Sequence, residues 1–449
     1  MRPFAAVLLS ALLALAASTG DRTRTVDMAE FGPVQVELPG NGAKALAIAF
    51  SGADGIAVSD RQAMQALVDA GFAVALVDSG QALRHLNAPD GRRACIDLTG
   101  PLEWLGSTVE RDFGWNQYRP PLILGHGVGG SLAYAALAQS PHAFAGGIGV
   151  DLQQELALRP QLCRVSTQTR SGDRQRLSWN VPPSARWLIG STSVASARAI
   201  LGAAPPATLA PGTLADIYGR AAPTFLTLPT QDSPTSLADL PLVEVSSTTA
   251  VDTLAIIYSG DGGWRDIDKQ LGDALATRGI AVVGVDSLRY FWSAQTAEQV
   301  GADLARILAQ YTAAWHIRHV VLIGYSFGAD ILPFAYNRLP AGLQRGVSQV
   351  TLLAPGRAAD FEIQTLGWFG AGPSDDAQPI PPEAARMEHA KVQCIFGTDD
   401  AADSLCTQAS AGGMEVVRRP GGHHFDNDYI ALARIVLKGI CRRGIACRA

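Results

Sequence analysis

The sequence predicts an α/β protein of two tandem domains with mostly parallel sheets, and three observations carry that expectation. Four segments recur in the same order in the two halves. Each half alternates short β-branched runs with longer amphipathic stretches. The chain has 449 residues, more than one compact core serves, and suits two domains of about 200 residues each. Hydrophobic residues make up 47% and charged residues 17%, which excludes a disordered, fibrous or coiled-coil chain. A net charge of −5 leaves no basic face for nucleic acid.

The chain opens with Arg2 and an apolar run from Phe4 to Ala17, within which Ala14-Leu15-Ala16 offers a small-residue cleavage site. This run is short for a bilayer span and reads as a secretory signal over residues 1–20, giving a soluble, exported mature protein. Six cysteines fit an oxidising compartment. Cys95 and Cys163 fall in the first half, and Cys394, Cys406, Cys441 and Cys447 in the second. Pairing within each half suggests Cys95–Cys163, Cys394–Cys406 and Cys441–Cys447, although spacing alone does not fix connectivity. No CxxC pair points to zinc, and no metal or cofactor is expected.

The repeat is read segment by segment. LAIAFSGADG (Leu46–Gly55) answers LAIIYSGDGG (Leu254–Gly263), and GFAVALVDS (Gly71–Ser79) answers GIAVVGVDS (Gly279–Ser287). LILGHGVGGSLAYA (Leu122–Ala135) answers VLIGYSFGADILPFA (Val321–Ala335), and ARWLIGSTS (Ala185–Ser193) answers KVQCIFGTDD (Lys391–Asp400). In the second copy, strands are predicted at Leu254–Ser259, Ala281–Asp286, His319–Gly324, Gln349–Ala354, Val392–Gly397 and Met414–Arg418. Helices are predicted at Thr296–Tyr311 and Asn427–Lys438. Residues 21–202 form the first domain and 249–449 the second. The Pro-, Ala-, Ser- and Thr-rich stretch 203–248 reads as a linker.

The chemistry concentrates in the second copy. Gly324-Tyr325-Ser326-Phe327-Gly328 is a G-x-S-x-G sequence between an apolar strand and a helical stretch, a strand-to-helix turn that lifts a serine hydroxyl out of a sheet edge. A serine hydroxyl needs a base oriented by a third group. Asp400 follows the strand VQCIFG as the candidate acid, with Asp399 and Asp403 as competitors. His423 follows two glycines as the candidate base, with His424 as the alternative. The order Ser…Asp…His is that of α/β-hydrolases. Two N–H groups should form an oxyanion hole, one from Phe327 and the other from Asp261 or Gly262 in the loop after the first strand. In the first copy the nucleophile position holds Gly127 and the acid position Ser193. No histidine lies between His142 and His316, so the base position is empty. That copy is expected to be an α/β-hydrolase-like domain without a triad.

On these residues the second half resembles the VirJ/AcvB family of bacterial periplasmic proteins, and the two-copy layout resembles the longer AcvB-type members. The matching segments are SGDGGW (Ser259–Trp264), VDSLRYFW (Val285–Trp292), GYSFGAD (Gly324–Asp330), DFEI with GW (Asp360–Ile363, Gly367-Trp368) and GGHHFD (Gly421–Asp426). The resemblance implies a periplasmic serine hydrolase that releases lysine or alanine from aminoacylated phosphatidylglycerol, with Ser326 as nucleophile, Asp400 as acid and His423 as base. Such a substrate lies at a membrane surface, where Trp264, Tyr290, Phe291, Trp292, Trp368 and Phe369 could engage lipid. Asp261, Asp330, Asp360 and Glu362 could pair with its ammonium group. Rival readings are a general carboxylesterase or thioesterase, and a periplasmic scaffold or chaperone for a secretion system that binds envelope proteins.

Overall fold

The computed structural model describes residues 22–40, 42–88, 95–163, 165, 167–170, 174–178, 186–192, 209–226, 237, 239–245, 247, 252–363, 373–409 and 412–445. The predicted signal segment, Ser193, Trp368, Phe369 and Cys447 lie outside them. In the first half the chain runs β1 (Thr23–Met28), β2 (Gly32–Glu37), β3 (Ala45–Phe50), α1 (Val58–Asp69), β4 (Phe72–Val77), α2 (Ser79–Leu86), α3 (Thr99–Asp112), β5 (Leu122–His126), α4 (Val128–Gln139) and β6 (Gly146–Val150). Three short strands, β7 (Glu155–Leu156), β8 (Thr167–Arg170) and β9 (Arg174–Leu177), make a small sheet of their own before β10 (Trp187–Gly190) and α5 (Leu214–Ala221).

The second half runs β11 (Leu242–Val245), β12 (Thr253–Tyr258), α6 (Asp266–Ala276), β13 (Ala281–Val285), α7 (Ser287–Tyr290), α8 (Ala297–Ala314), β14 (His319–Tyr325), α9 (Phe327–Asn337), α10 (Ala341–Gly346) and β15 (Val347–Leu353). A two-strand ribbon of β16 (Ala358–Ala359) and β17 (Gln378–Pro379) follows. The half closes with α11 (Ile380–Ala385), β18 (Val392–Gly397), α12 (Cys406–Ala409), β19 (Glu415–Arg419) and α13 (Tyr429–Arg442).

The two seven-stranded sheets share one plan: β1-β2-β4-β3-β5-β6-β10 and β11-β13-β12-β14-β15-β18-β19. All neighbours pair in parallel except β1, β2 and β11, which add antiparallel edges. Strands β4, β12 and β13 are buried at every residue, as expected where helices cover both faces. Helices α6 and α13 cover one face of the second sheet through Leu271, Leu275, Leu432 and Val436. Helices α8 and α9 cover the other through Leu304, Ile307, Ile331 and Leu332.

One boundary needs correction. The stretch read as a linker is divided between the two cores. Helix α5 packs on α1, with Leu214, Ile217 and Tyr218 buried beside Met64 and Leu67, and β11 is an edge strand of the second sheet. Short elements in a Pro- and Ala-rich stretch produce no long periodic signal. The local signal was Thr213, whose side chain accepts the Asp216 N–H while Asp216 reaches back to the Thr213 N–H.

Two disulfides join Cys95 to Cys163 and Cys394 to Cys406. Cys441 is disulfide-bonded as well, its expected partner Cys447 lying outside the described residues. Among the described residues no helix is long and apolar enough to cross a membrane.

Candidate active site

The turn at Ser326 is set by glycines. Strand β14 ends at Tyr325 and α9 begins at Phe327, so Ser326 turns the chain with φ 52° and ψ −119°, a left-handed conformation that costs a non-glycine residue about 1 kcal/mol or more. A Cβ on Gly328 would collide with the carbonyls of Tyr258 and Ser259, and one on Gly324 with the backbone of Gly328. Only glycine lets helix α9 seat this close to β12 and lift Ser326 above the sheet. Ser326 N–H donates to Leu353 O at 2.9 Å, fixing the turn to β15.

His423 arrives on the loop after β19. Gly421 has φ 85°, and a Cβ on Gly397, at the end of β18, would strike the Gly421 and Gly422 carbonyls. The acid-bearing and base-bearing loops therefore touch backbone to backbone, and Asp399 N–H donates to Gly421 O at 3.1 Å. His423 Nε2 stands 2.7 Å from Ser326 Oγ, and His423 Nδ1 stands 3.6 Å from Asp400 Oδ2. The second distance exceeds a hydrogen bond, and Asp400 Oδ2 is buried without a hydrogen-bond partner, so a small rotation toward Nδ1 would satisfy it. The Cys394–Cys406 bridge ties β18 to the segment just beyond Asp400 and closes a loop of 12 residues around it. Of the competitors, Asp399 takes the Thr398 hydroxyl at 3.4 Å, and Asp403 lines the same cleft as Asp400 and His423.

The adjacent imidazole has another partner. Tyr325 OH lies 3.0 Å from His424 Nδ1. Burial, followed by the nearby His423 and Arg265, lowers the His424 pKa, so this ring stays neutral at neutral pH. Phe425, Asp426 and Asn427 all have φ between 49° and 60°, and buried Phe425 anchors this strained stretch. Nothing in the sequence pattern marks Tyr325 as the residue that separates the two histidines.

The oxyanion candidates surround the same hydroxyl. Phe327 opens a helix, so its N–H has no intrahelical acceptor. In the loop after β12, Gly263 N–H donates to Gly260 O and Arg265 N–H to Gly263 O. Asp261 and Gly262 N–H are left without an acceptor among the described residues. A Cβ on Gly260 would stand 3.7 Å from the Ser326 Cβ, so this loop passes directly alongside the hydroxyl.

The substrate-contact expectations need correction. Trp264, Tyr290 and Trp292 are buried, Trp292 at 2% exposure. Trp264 fills the space above Gly284 and Gly272 in the core, and Tyr290 OH donates to Asp303 at 2.6 Å. Trp292 is covered by the first half of the chain. Aromatic rings beside strand ends read equally as lipid contacts or as core, and only packing separates the two. Asp330 accepts the Gly356 N–H at 2.7 Å, and burial, reinforced by Asp360 and Asp261, raises its pKa well above its ordinary value. Asp330 therefore holds the turn at Gly356. Glu362 pairs with Arg111, and Asp360 with Ser374. A cleft of about 240 Å³ adjoins His423, lined by Asp330, Pro355, Phe396, Asp400, Asp403 and Ser404 among others.

Strand order, the strained turn and the Ser–His–Asp arrangement define the second half as an α/β-hydrolase-fold domain. Residues 252–444 match the family described as Bacterial virulence protein (VirJ). No curated protein matches the chain. Among solved structures, MenH from S. aureus is similar at 8% identity and a TM-score of 0.36, over 45% of this chain and 98% of that one. Est1E from Butyrivibrio proteoclasticus is similar at 15% identity and a TM-score of 0.33, over 44% and 93%. XC6422 from Xanthomonas campestris, described as an a/b serine hydrolase without lid, is similar at 19% identity and a TM-score of 0.32, over 46% and 89%.

Proposed function

We propose that the second half is a serine ester hydrolase of the bacterial periplasm that removes the aminoacyl group from aminoacylated phosphatidylglycerol. The observation that carries the hydrolase reading is the 2.7 Å separation of Ser326 Oγ and His423 Nε2 on a strained strand-to-helix turn. His423 takes the hydroxyl proton as Ser326 Oγ attacks the ester carbonyl. The resulting oxyanion accepts from Phe327 N–H and from Asp261 or Gly262 N–H. Collapse breaks the ester bond, and His423 returns the proton to the departing glycerol oxygen. Water, deprotonated by the same imidazole, then cleaves the acyl-enzyme and frees the amino acid. Asp400 steadies the imidazolium formed in each half-reaction. The aminoacyl-lipid substrate rests on the VirJ/AcvB resemblance, and the side chain of His423, 45% exposed, suits a substrate presented at a surface.

The test is to incubate the protein and its Ser326→Ala variant with vesicles containing lysyl- or alanyl-phosphatidylglycerol and to measure free amino acid. Release by the wild type alone supports both enzyme and substrate. Hydrolysis of simple esters with both lipids untouched would leave a general esterase. No Ser326-dependent hydrolysis of any ester would reject the enzyme in favour of a scaffold.

A further inference from the structure

The triad-less first half touches the second half at the two segments that shape the candidate oxyanion hole, and both touches come from helix α3 and the turn that follows it. At its beginning, α3 brings Gly100 against the Arg265 guanidinium so closely that a Cβ there would collide with Nη1. Glu103, one turn on and buried, places Oε2 3.9 Å from Arg265 Nε. The other side of the same guanidinium lies against Gly262, where a Cβ would also collide. Arg265 is thus wedged between the first half and the loop that carries the Asp261 and Gly262 N–H groups.

At its end, α3 supplies Arg111. Its Nη2 donates to Trp292 O at 2.7 Å and to Ile363 O at 2.5 Å, and its guanidinium stacks 3.8 Å from the Trp292 ring. Trp292 Nε1 donates to Trp115 O at 2.9 Å, and Ser293 Oγ to Asn116 O at 2.6 Å. Tyr118, from the same turn, is buried in the core of the second half, with its ring 5.2 Å from Trp292. The residue before Trp292 is Phe291, whose carbonyl accepts Ile363 N–H and whose ring packs edge-on against Phe327 at 4.9 Å. Phe327 carries the other candidate N–H donor.

We infer that helix α3 of the first half is a positioning element for the oxyanion hole of the second. Arg265 sets the Asp261–Gly262 donor, and Arg111, through Trp292 and Phe291, sets the Phe327 donor. Such a hole stabilises charge only where its donors are held in place beforehand, so slack of about 1 Å costs on the order of 100-fold in rate. The first half would then be retained for the geometry it imposes on its neighbour, with no chemistry of its own. This inference rests on the serine-hydrolase reading.

The experiment uses the full chain, a p-nitrophenyl ester and an alkylboronic acid that forms a tetrahedral adduct on Ser326. Ser326-dependent turnover by the wild type is measured first, and its absence removes the hydrolase reading together with this inference. With turnover established, Arg111→Ala should lower kcat about 10- to 100-fold while KM changes less than about two-fold. The boronate Ki should rise by the same factor that kcat/KM falls, a proportionality that general loss of folded protein does not produce. Gly100→Ala is the second variant: alanine favours a helix, yet its methyl displaces Arg265, so it should lower kcat with thermal stability kept. The inference is overturned if Gly100→Ala, and Arg111→Ala where it folds, keep kcat within about two-fold, or if the loss appears in KM alone.

Discussion

In the first half, Ser51 Oγ accepts the Ser79 N–H at 3.0 Å and Ser79 Oγ donates back to Ser51 O. In the second half, Ser259 and Ser287 make the same reciprocal pair. Asp78 and Asp286 cap the helix that follows in each copy. The sharp turn is repeated too, with Gly127 at φ 56°, ψ −125° and Ser326 at φ 52°, ψ −119°. What differs is the side chains that reach the turn. Gly127 has none, and the neighbouring His126 points Nε2 at Asp60 Oδ1 at 2.7 Å, where the second half has Tyr325 directed at His424. The turn geometry therefore belongs to the fold, which needs it to seat a helix on a strand. The chemistry is a separate layer that one copy carries and the other lacks.

The largest test of that separation is Ser326→Ala, expected to reduce ester hydrolysis by at least about 10⁴-fold with unchanged thermal stability. A residual rate within about 100-fold of wild type would place the chemistry elsewhere. The histidine pair comes next. Steady-state rates should fall about 10³-fold or more for His423→Asn and less than about 10-fold for His424→Asn, and the reverse order would exchange their roles.

A third comparison concerns buried acids on corresponding helices. Asp303 in α8 receives the Tyr290 hydroxyl, Gln299 and Arg306, whereas Glu110 in α3 takes the Arg119 N–H on one oxygen and has no partner for the other. Burial pushes the Glu110 pKa up to about 9 from an ordinary 4.5. The folded protein then holds a proton that the unfolded chain releases. Stability from this group is full below pH 4.5, declines as pH rises and levels off above about 9, with a slope of up to about 1.4 kcal/mol per pH unit. Glu110→Gln should flatten that decline and raise Tm at pH 8 relative to wild type. Parallel melting curves for the two proteins between pH 5 and 8 would contradict it.

The smallest expected effect is Gly127→Ser in the first half. Its Cβ would meet nothing closer than Gln153 Nε2 at 3.6 Å, so only the left-handed backbone resists it, at about 1 kcal/mol by denaturant unfolding. It should create no hydrolysis in a Ser326→Ala background. Activity appearing there would mean that the first half retains more of a site than a bare turn.

Much of this was legible in the chain because local physics wrote it there. All six strands expected in the second half are present within a residue or two at their ends, since fully buried parallel strands show as continuous β-branched runs. The Cys95–Cys163 pair follows from assignment within each half, whereas the four cysteines of the second half leave three pairings, among which the structure shows Cys394–Cys406. Helix α5 and strand β11 are too short to show a period in the sequence, and an aromatic such as Trp292 at a strand end looks the same to the sequence whether lipid or protein covers it.

The sequence by itself determined the duplicated strand–helix order, the place of Ser326 on its turn and the absence of a partner for Gly127. Each depends on residues within one turn or one strand, where glycine, proline and hydrophobic period act directly on φ and ψ. Only the tertiary structure decided that His423 rather than His424 faces Ser326, that Asp400 rather than Asp399 or Asp403 comes within 3.6 Å of the His423 ring, and that Arg111 crosses to Trp292. Those outcomes depend on where separate loops meet, and the direction of a side chain across such a meeting is set by the packing of both partners together.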